Sequence, residues 1–216
     1  MMGRQTISFD LTGTLTTYRF SNRVWFEELP RLFAKKNRLS FEEAKKKLKQ
    51  IYDEVGEERL EWYDLKYWFR RFDLGDSWYR MLEGASCEVE LYPETKKVLE
   101  SLSHKYDLVL LTNAAREFVE VETREIKGYF RSIFSCVSDF GQVKKTPGFY
   151  LLVCRRLGLR AEELTHVGDH WKFDYLIPRQ AGVRAFYLDR SRKARGQFVL
   201  HDLQELEEKI SQVAGH

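Results

Sequence analysis

The chain has 216 residues, of which 43% are apolar and 32% charged, and its formal net charge is +3. That is enough apolar material for a substantial core, so a disordered chain is excluded, and one large domain or a core with an insertion is expected. The near balance of charge argues against a nucleic-acid partner, and no apolar run approaches the ~18 residues of a membrane span.

The N-terminal segment MMGRQTISFD meets an acid too early for a signal peptide. The three cysteines, Cys87, Cys136 and Cys154, match no zinc spacing, and the last two sit in apolar runs as inert buried thiols. A sparse, odd number of cysteines suits a reducing compartment, and a cytoplasmic location is expected.

In chain order, the first predicted strand is TISFD (6–10). Residues 16–91 then read as helical, in the stretches 21–37, 40–56 and 60–72, with Ser40 and Glu43 at capping-box spacing. Basic and acidic residues balance across this block, so its KKKLK run (45–49) creates no net field. Its many aromatics, among them Trp25, Trp62 and Trp68, read as a packed core, with a substrate pocket as the alternative. Further strands are expected at 107–113, 132–139, 164–169 and 183–189. Helices are expected at 93–106, 115–130, 147–158 and 202–213. Nearly continuous apolar strands alternating with helices predict an α/β fold with a parallel, doubly wound sheet. The domain reading is a sheet domain of residues 1–15 and 92–216, interrupted by a helical domain of residues 16–91.

In such a sheet, ligands bind beyond the carboxyl ends of the strands. Asp10 ends the first strand, Thr112 and Asn113 the second, and Asp169 the fourth, with Lys144 a few residues past the third. Carboxylates at Asp10, Asp169 and Asp174 suit a hard cation. A hydroxyl, amides and an ammonium suit a phosphate, and the set together points to metal-assisted phosphoryl transfer.

The motifs FDLTGTLT (9–16), LLTN (110–113), GQVKKTPGFY (141–150) and HVGDHWKFD (166–174) resemble, in order and spacing, the four motifs of the haloacid dehalogenase (HAD) superfamily. That resemblance implies a Rossmann-like core with a five-stranded parallel sheet ordered 5-4-1-2-3, plus an inserted helical C1-type cap. It implies a hydrolase, most often a Mg²⁺-dependent phosphatase acting on small phosphate esters. Asp10 would be the nucleophile. Asp10, the main-chain carbonyl of Thr12, Asp169 and Asp174 would hold Mg²⁺, and Thr112, Asn113 and Lys144 would bind the phosphoryl group. Lys144 is preferred to Lys145 because Gly141, Pro147 and Tyr150 then keep the offsets usual in the family.

One position departs from the pattern. Phosphatases of this family usually carry a second aspartate two residues after the nucleophile, as general acid and base, and here that residue is Thr12. A threonine cannot titrate near neutral pH, so assistance worth roughly 10²–10⁴-fold is either missing, giving a slower or narrower phosphatase, or comes from water or another residue. His170 is one candidate. The alternatives are a 2-haloacid dehalogenase-like hydrolase, in which Arg19 or Arg23 would supply the substrate-binding arginine, and a non-catalytic phosphate-ester-binding regulatory protein. Tyr18, Arg19, Phe20 and Arg23 are expected to look down on the cleft.

Overall fold

The computed structural model describes residues 4–214. Its centre is a parallel sheet of six strands: β1 (Thr6–Phe9), β2 (Asp107–Thr112), β3 (Ser132–Ser135), β4 (Leu164–Gly168), β5 (Arg184–Leu188) and β6 (Val199–Leu200). Their order is β3-β2-β1-β4-β5-β6. Five of them follow the expected order; β6, only two residues long, extends the sheet beyond β5 and was not expected. Strand alternation explains the continuous apolar runs. Leu108 and Leu110 enter one core cluster with Phe9 and Phe186, while Val109 and Leu111 enter another with Phe149, Tyr150 and Val183.

Three expected elements are shorter than predicted, two of them for local reasons. The predicted strand 132–139 stops at Ser135, whose side chain accepts from Ser138 N and caps a helix, Cys136–Phe140. The predicted helix 115–130 is Arg116–Glu122; the Thr123 hydroxyl donates back to Val119 O at 2.7 Å as the chain leaves it. The helix expected at 93–106 runs only from Thr95 to Ser103. Cys136 and Cys154 are buried, and burial pushes their thiols up to about 12 and about 11 respectively.

Between β1 and β2 the chain is helical. The segment Arg19–Asn37 is one helical run interrupted by a π-helical turn, Val24–Glu28. Helix Phe41–Val55 begins on the expected Ser40–Glu43 capping box. Phe20, Val24, Leu29, Leu48, Trp68, Phe69 and Leu82 form a cluster here, completed by Ala115, Phe118 and Val121 from beyond β2. The helical region therefore rests its core on the helix that leaves the sheet. The two crossing segments are tied together: Thr17 N donates to Glu90 O at 2.8 Å, and Tyr92 N donates to Leu15 O at 3.0 Å. No helix among the described residues is long and apolar enough to cross a membrane.

Candidate active site

Asp10 is the first residue past β1, and its side chain is 12% exposed. Lys145 Nζ donates to Asp10 Oδ1 at 2.5 Å and to Asp174 Oδ1 at 2.6 Å, and Lys145 is itself 3% exposed. Asp169, one residue beyond β4, accepts from Thr14 Oγ1 at 3.2 Å and from the Tyr18 hydroxyl at 2.8 Å. Ligand oxygens of Asp10, Asp169 and Asp174 lie within 4.8 Å of one another. A second π-helical turn, Trp171–Leu176, brings Asp174 back over the end of β4, where its Oδ2 accepts from His170 N at 3.0 Å.

Two glycines make this crowding possible. A Cβ on Gly168 would lie 2.4 Å from the Asp174 carboxyl carbon, and one on Gly13 would lie 2.2 Å from Asp169 Oδ2. Gly13 also adopts φ +91°, a region that side-chain-bearing residues rarely enter.

Three carboxylates share one ammonium. Burial alone would raise Asp174, but Lys145 and His166 hold its carboxyl well below the usual range. Burial pushes Asp10 up, and the neighbouring Asp174 and Asp169 add to that rise against Lys145. Burial also raises Asp169, again with help from Asp174. Lys145 resists the opposite effect of burial because Asp10 and Asp174 favour its charged form. His166, fully buried on β4, is pushed down by burial and so is neutral. A proton on its Nε2 serves Asp174 Oδ1 at 3.2 Å and leaves Nδ1 to accept from Ser8 Oγ at 2.8 Å. Two of the three carboxyls thus resist ionising because only one ammonium serves them, and hard oxygen donors short of positive charge are the chemistry of a divalent-cation site.

The structure brings Asp10, Asp169 and Asp174 together, but it places Lys145, not Lys144, among them. Lys144 turns the other way, ion-paired with Glu57 at 3.0 Å and with Glu58, beside the Phe173 ring. The two lysines are adjacent in a non-helical stretch ahead of Thr146, so their side chains diverge. Thr112 is buried at the end of β2, and its Oγ1 accepts from Ala114 N at 3.1 Å. Asn113 follows it, with a buried Oδ1 that has no hydrogen-bond partner. Of the residues expected over the cleft, only Tyr18 reaches the cluster. Phe20 is buried in the helical core, Arg19 pairs with Glu88 and Glu90, and Arg23 pairs with Glu27 and Glu28. His170 Nδ1 accepts from Lys172 N and Phe173 N and so caps the turn Trp171–Leu176.

Thr12 has a partner that sequence reasoning missed. Its Oγ1 donates to Glu122 Oε2 at 3.2 Å, and Thr16 Oγ1 donates to the same oxygen at 2.7 Å. Glu122 is 2% exposed, and burial pushes its carboxyl up to about 7 against these two hydrogen bonds. The available signal was an acid at 122 on the same helical face as Phe118 and Val119, where the pattern calls for an apolar residue.

The haloacid dehalogenase-like hydrolase family model matches residues 5–182, the stretch that holds every residue of this cluster. The chain belongs to the haloacid dehalogenase-like hydrolase family. Among relatives of this hydrolase, the GMP/IMP nucleotidase YrfG of Escherichia coli (strain K12) is 28% identical over 167 residues, covering 76% of this chain and 73% of the relative. A HAD phosphatase from Thermococcus onnurineus superposes with a TM-score of 0.82 at 22% identity, covering 95% of this chain and 97% of that one. The putative HAD-hydrolase YfnB from Bacillus subtilis, solved bound to magnesium, superposes with a TM-score of 0.69 at 19% identity, covering 96% and 99%.

Beside the hydrolase's carboxylate cluster lies a cavity of about 290 Å³. Thr12, Tyr18, Asn113 and Glu122 line its polar end, and aromatic side chains of the helical region and Phe118 line the rest. The π-helical turn Val24–Glu28 supplies two of them, Trp25 and Phe26.

Proposed function

We propose that this hydrolase is a Mg²⁺-dependent phosphatase of small phosphate esters that works through an aspartyl-phosphate at Asp10. The observation that carries this reading is the buried triad in which Lys145 spans Asp10 and Asp174, with Asp169 close by. The named relatives, a nucleotidase and a phosphatase, support the same class. In this reading residues 16–91 act as a lid on the sheet domain formed by 1–15 and 92–216.

Asp10, Asp169, Asp174 and the main-chain carbonyl of Thr12 would hold Mg²⁺. Their oxygen donors and shortage of positive charge fit it, as does the close approach allowed by Gly13 and Gly168. When bound, the ion offsets the repulsion between an anionic nucleophile and an anionic phosphate.

The chain's own groups do the rest. A carboxylate oxygen of Asp10 attacks phosphorus, forming the acyl-phosphate bond as the bond to the leaving oxygen breaks. Lys145 keeps Asp10 oriented and shares the charge of the transferring group. Asn113 and the amides after β2 face the phosphoryl oxygens, and Thr112 fixes that turn. The leaving oxygen takes a proton from the Thr12 hydroxyl, which is replenished by Glu122 behind it; the reverse transfer deprotonates the water that cleaves the aspartyl-phosphate. Thr12 alone could not do this. The pair Thr12–Glu122 places a carboxyl one hydroxyl further from the substrate than the usual aspartate would.

The test is hydrolysis of 4-nitrophenyl phosphate. Turnover that disappears with EDTA, returns with Mg²⁺ and is lost in Asp10→Asn supports the reading. Halide release from a 2-haloacid without a metal would replace it with the dehalogenase alternative, for which the pairing of Arg19 and Arg23 leaves no arginine facing the cavity.

A further inference from the structure

The cavity beside the carboxylates is chemically one-sided. Its polar end is shared with the proposed phosphate site through Thr12, Tyr18, Asn113 and Glu122. Its other walls are mainly Trp25, Phe26, Tyr52, Trp62, Tyr63 and Phe118, with the uncharged Ser21 and Asn22 and two alanines among them. Among the described residues, no lysine, arginine or histidine lines it. Arg19, Arg23 and Arg116, which adjoin lining residues in sequence, are occupied by Glu88 and Glu90, by Glu27 and Glu28, and by Asp139 respectively. A second phosphate or a carboxylate on the leaving group would therefore meet no countercharge, and it would meet Glu122 where it approached the polar end.

The aromatic walls are held in defined attitudes. Trp25 stacks on Phe118 with centroids 5.4 Å apart and planes 10° apart, and it lies at 30° to Trp62 with centroids 6.4 Å apart. Tyr52 meets Trp25 edge-on, at 88°. Phe26 and Tyr18 stay about half exposed, 46% and 50%, at the cavity's edge. A cavity of about 150 Å³ lined by apolar side chains holds one benzene ring, so 290 Å³ has room for two fused rings. Flat rings gain most from such walls, because stacked and edge-to-face contacts add to simple area burial.

We propose that this cavity receives the leaving group of the substrate, and that the leaving group carries an uncharged, flat aromatic system of one or two fused rings. The substrate class is then a phosphate monoester that bears an aromatic ring, aryl or nucleoside, rather than an acyclic, carboxylated or ring-free sugar phosphate. The proposal rests on the phosphatase reading for the direction of the substrate, with the phosphoryl group at Asp10 and the ring among the tryptophans. It does not need turnover to be tested.

The test measures binding and kinetics in parallel. Calorimetric binding to the Asp10→Asn protein, with Mg²⁺ present, compares 1-naphthyl phosphate, a purine nucleoside 5′-monophosphate, glycerol 2-phosphate and phosphoglycolate. At least one aromatic ester is expected to bind roughly tenfold or more tightly than both acyclic ones, the scale of one stacking contact. That preference is expected to collapse in Trp62→Leu and to survive in Trp62→Phe. Trp62 is only half-buried, so these variants should remain folded. In active protein the ratio of kcat/KM for aromatic over acyclic esters should fall by a similar factor in Trp62→Leu, with the change in KM. Which aromatic ester leads distinguishes an aryl from a nucleoside substrate. Equal binding of aromatic and acyclic esters, or an aromatic preference that ignores Trp62, overturns the proposal. Tight aromatic binding together with no hydrolysis of any ester by the wild type would overturn the phosphatase reading instead and leave the cavity assignment standing.

Discussion

Replacing Glu122 with glutamine isolates the cost of a buried carboxylate with no cation beside it. Glu122 is 2% exposed, and its hydrogen-bond partners are the hydroxyls of Thr12 and Thr16. Burial lifts its carboxyl from 4.5 to about 7. A folded value above the unfolded one means that the unfolded chain releases this proton first as pH rises. The contribution of Glu122 to stability is therefore intact below about pH 4.5, shrinks through pH 5–7, and is fully lost above about pH 7. At ~1.4 kcal/mol per pH unit, a rise of about 2.5 units corresponds to roughly 3 kcal/mol. Glutamine is neutral throughout, so the stability of Glu122→Gln relative to wild type should increase by about 3 kcal/mol between pH 4.5 and pH 8. Urea unfolding of both proteins at several pH values gives this difference directly. Titrating groups common to both proteins, the carboxylate cluster included, cancel in the comparison. In thermal melts the same change amounts to roughly 6–12 °C for a chain of this size. A difference between the two proteins that stays constant with pH would refute the reasoning, because it would mean that Glu122 is ionised in the folded protein as easily as in water.

The same Glu122→Gln protein should lose roughly 10²–10⁴-fold in kcat/KM for esters with poor leaving groups and less for 4-nitrophenyl phosphate, whose leaving group needs little protonation, while kcat falls for both through the slowed cleavage of the intermediate; steady-state assays across an ester series check this. Lys145→Ala should reduce turnover by about 10²-fold or more and destabilise the fold by roughly 3–5 kcal/mol, since it strands Asp10 and Asp174. Lys144→Ala, which breaks pairs with the exposed Glu57 and Glu58, should change stability by less than about 1 kcal/mol in the same assays. Mg²⁺ at about 100 times its dissociation constant should stabilise the wild type by ~2.7 kcal/mol, visible as a melting shift of roughly 5–10 °C that Asp169→Asn diminishes.

How much of this was legible in the sequence depended on how local the cause was. Asp10 and Asp169 could be placed because each ends an apolar run, and parallel pairing of β1 with β4 sets those ends side by side. The Ser40–Glu43 cap was legible for the same reason, since it spans one turn. The choice between Lys144 and Lys145 was not. Adjacent lysines differ only in direction, and Asp10, which sets that direction, lies 135 residues away. Glu122 was hidden by distance as well: its hydrogen bonds to Thr12 and Thr16 cross 110 and 106 residues. The two-residue strand β6 carries too short a pattern to announce itself, and it forms because β5 offers it an open edge. The arginines expected over the cleft instead found acidic neighbours within the helical region and beside the neck.

The central claim is that Asp10 becomes covalently phosphorylated. Acid quenching after mixing the protein with Mg²⁺ and a ³²P-labelled aromatic phosphate ester, followed by peptide mapping, tests it most directly. The account predicts label on the peptide containing Asp10, released by hydroxylamine, absent from Asp10→Asn and accumulating to a higher level in Glu122→Gln, where cleavage of the intermediate is slowed. Hydrolysis of the ester with no label on Asp10 at any quench time in either the wild type or Glu122→Gln would contradict it.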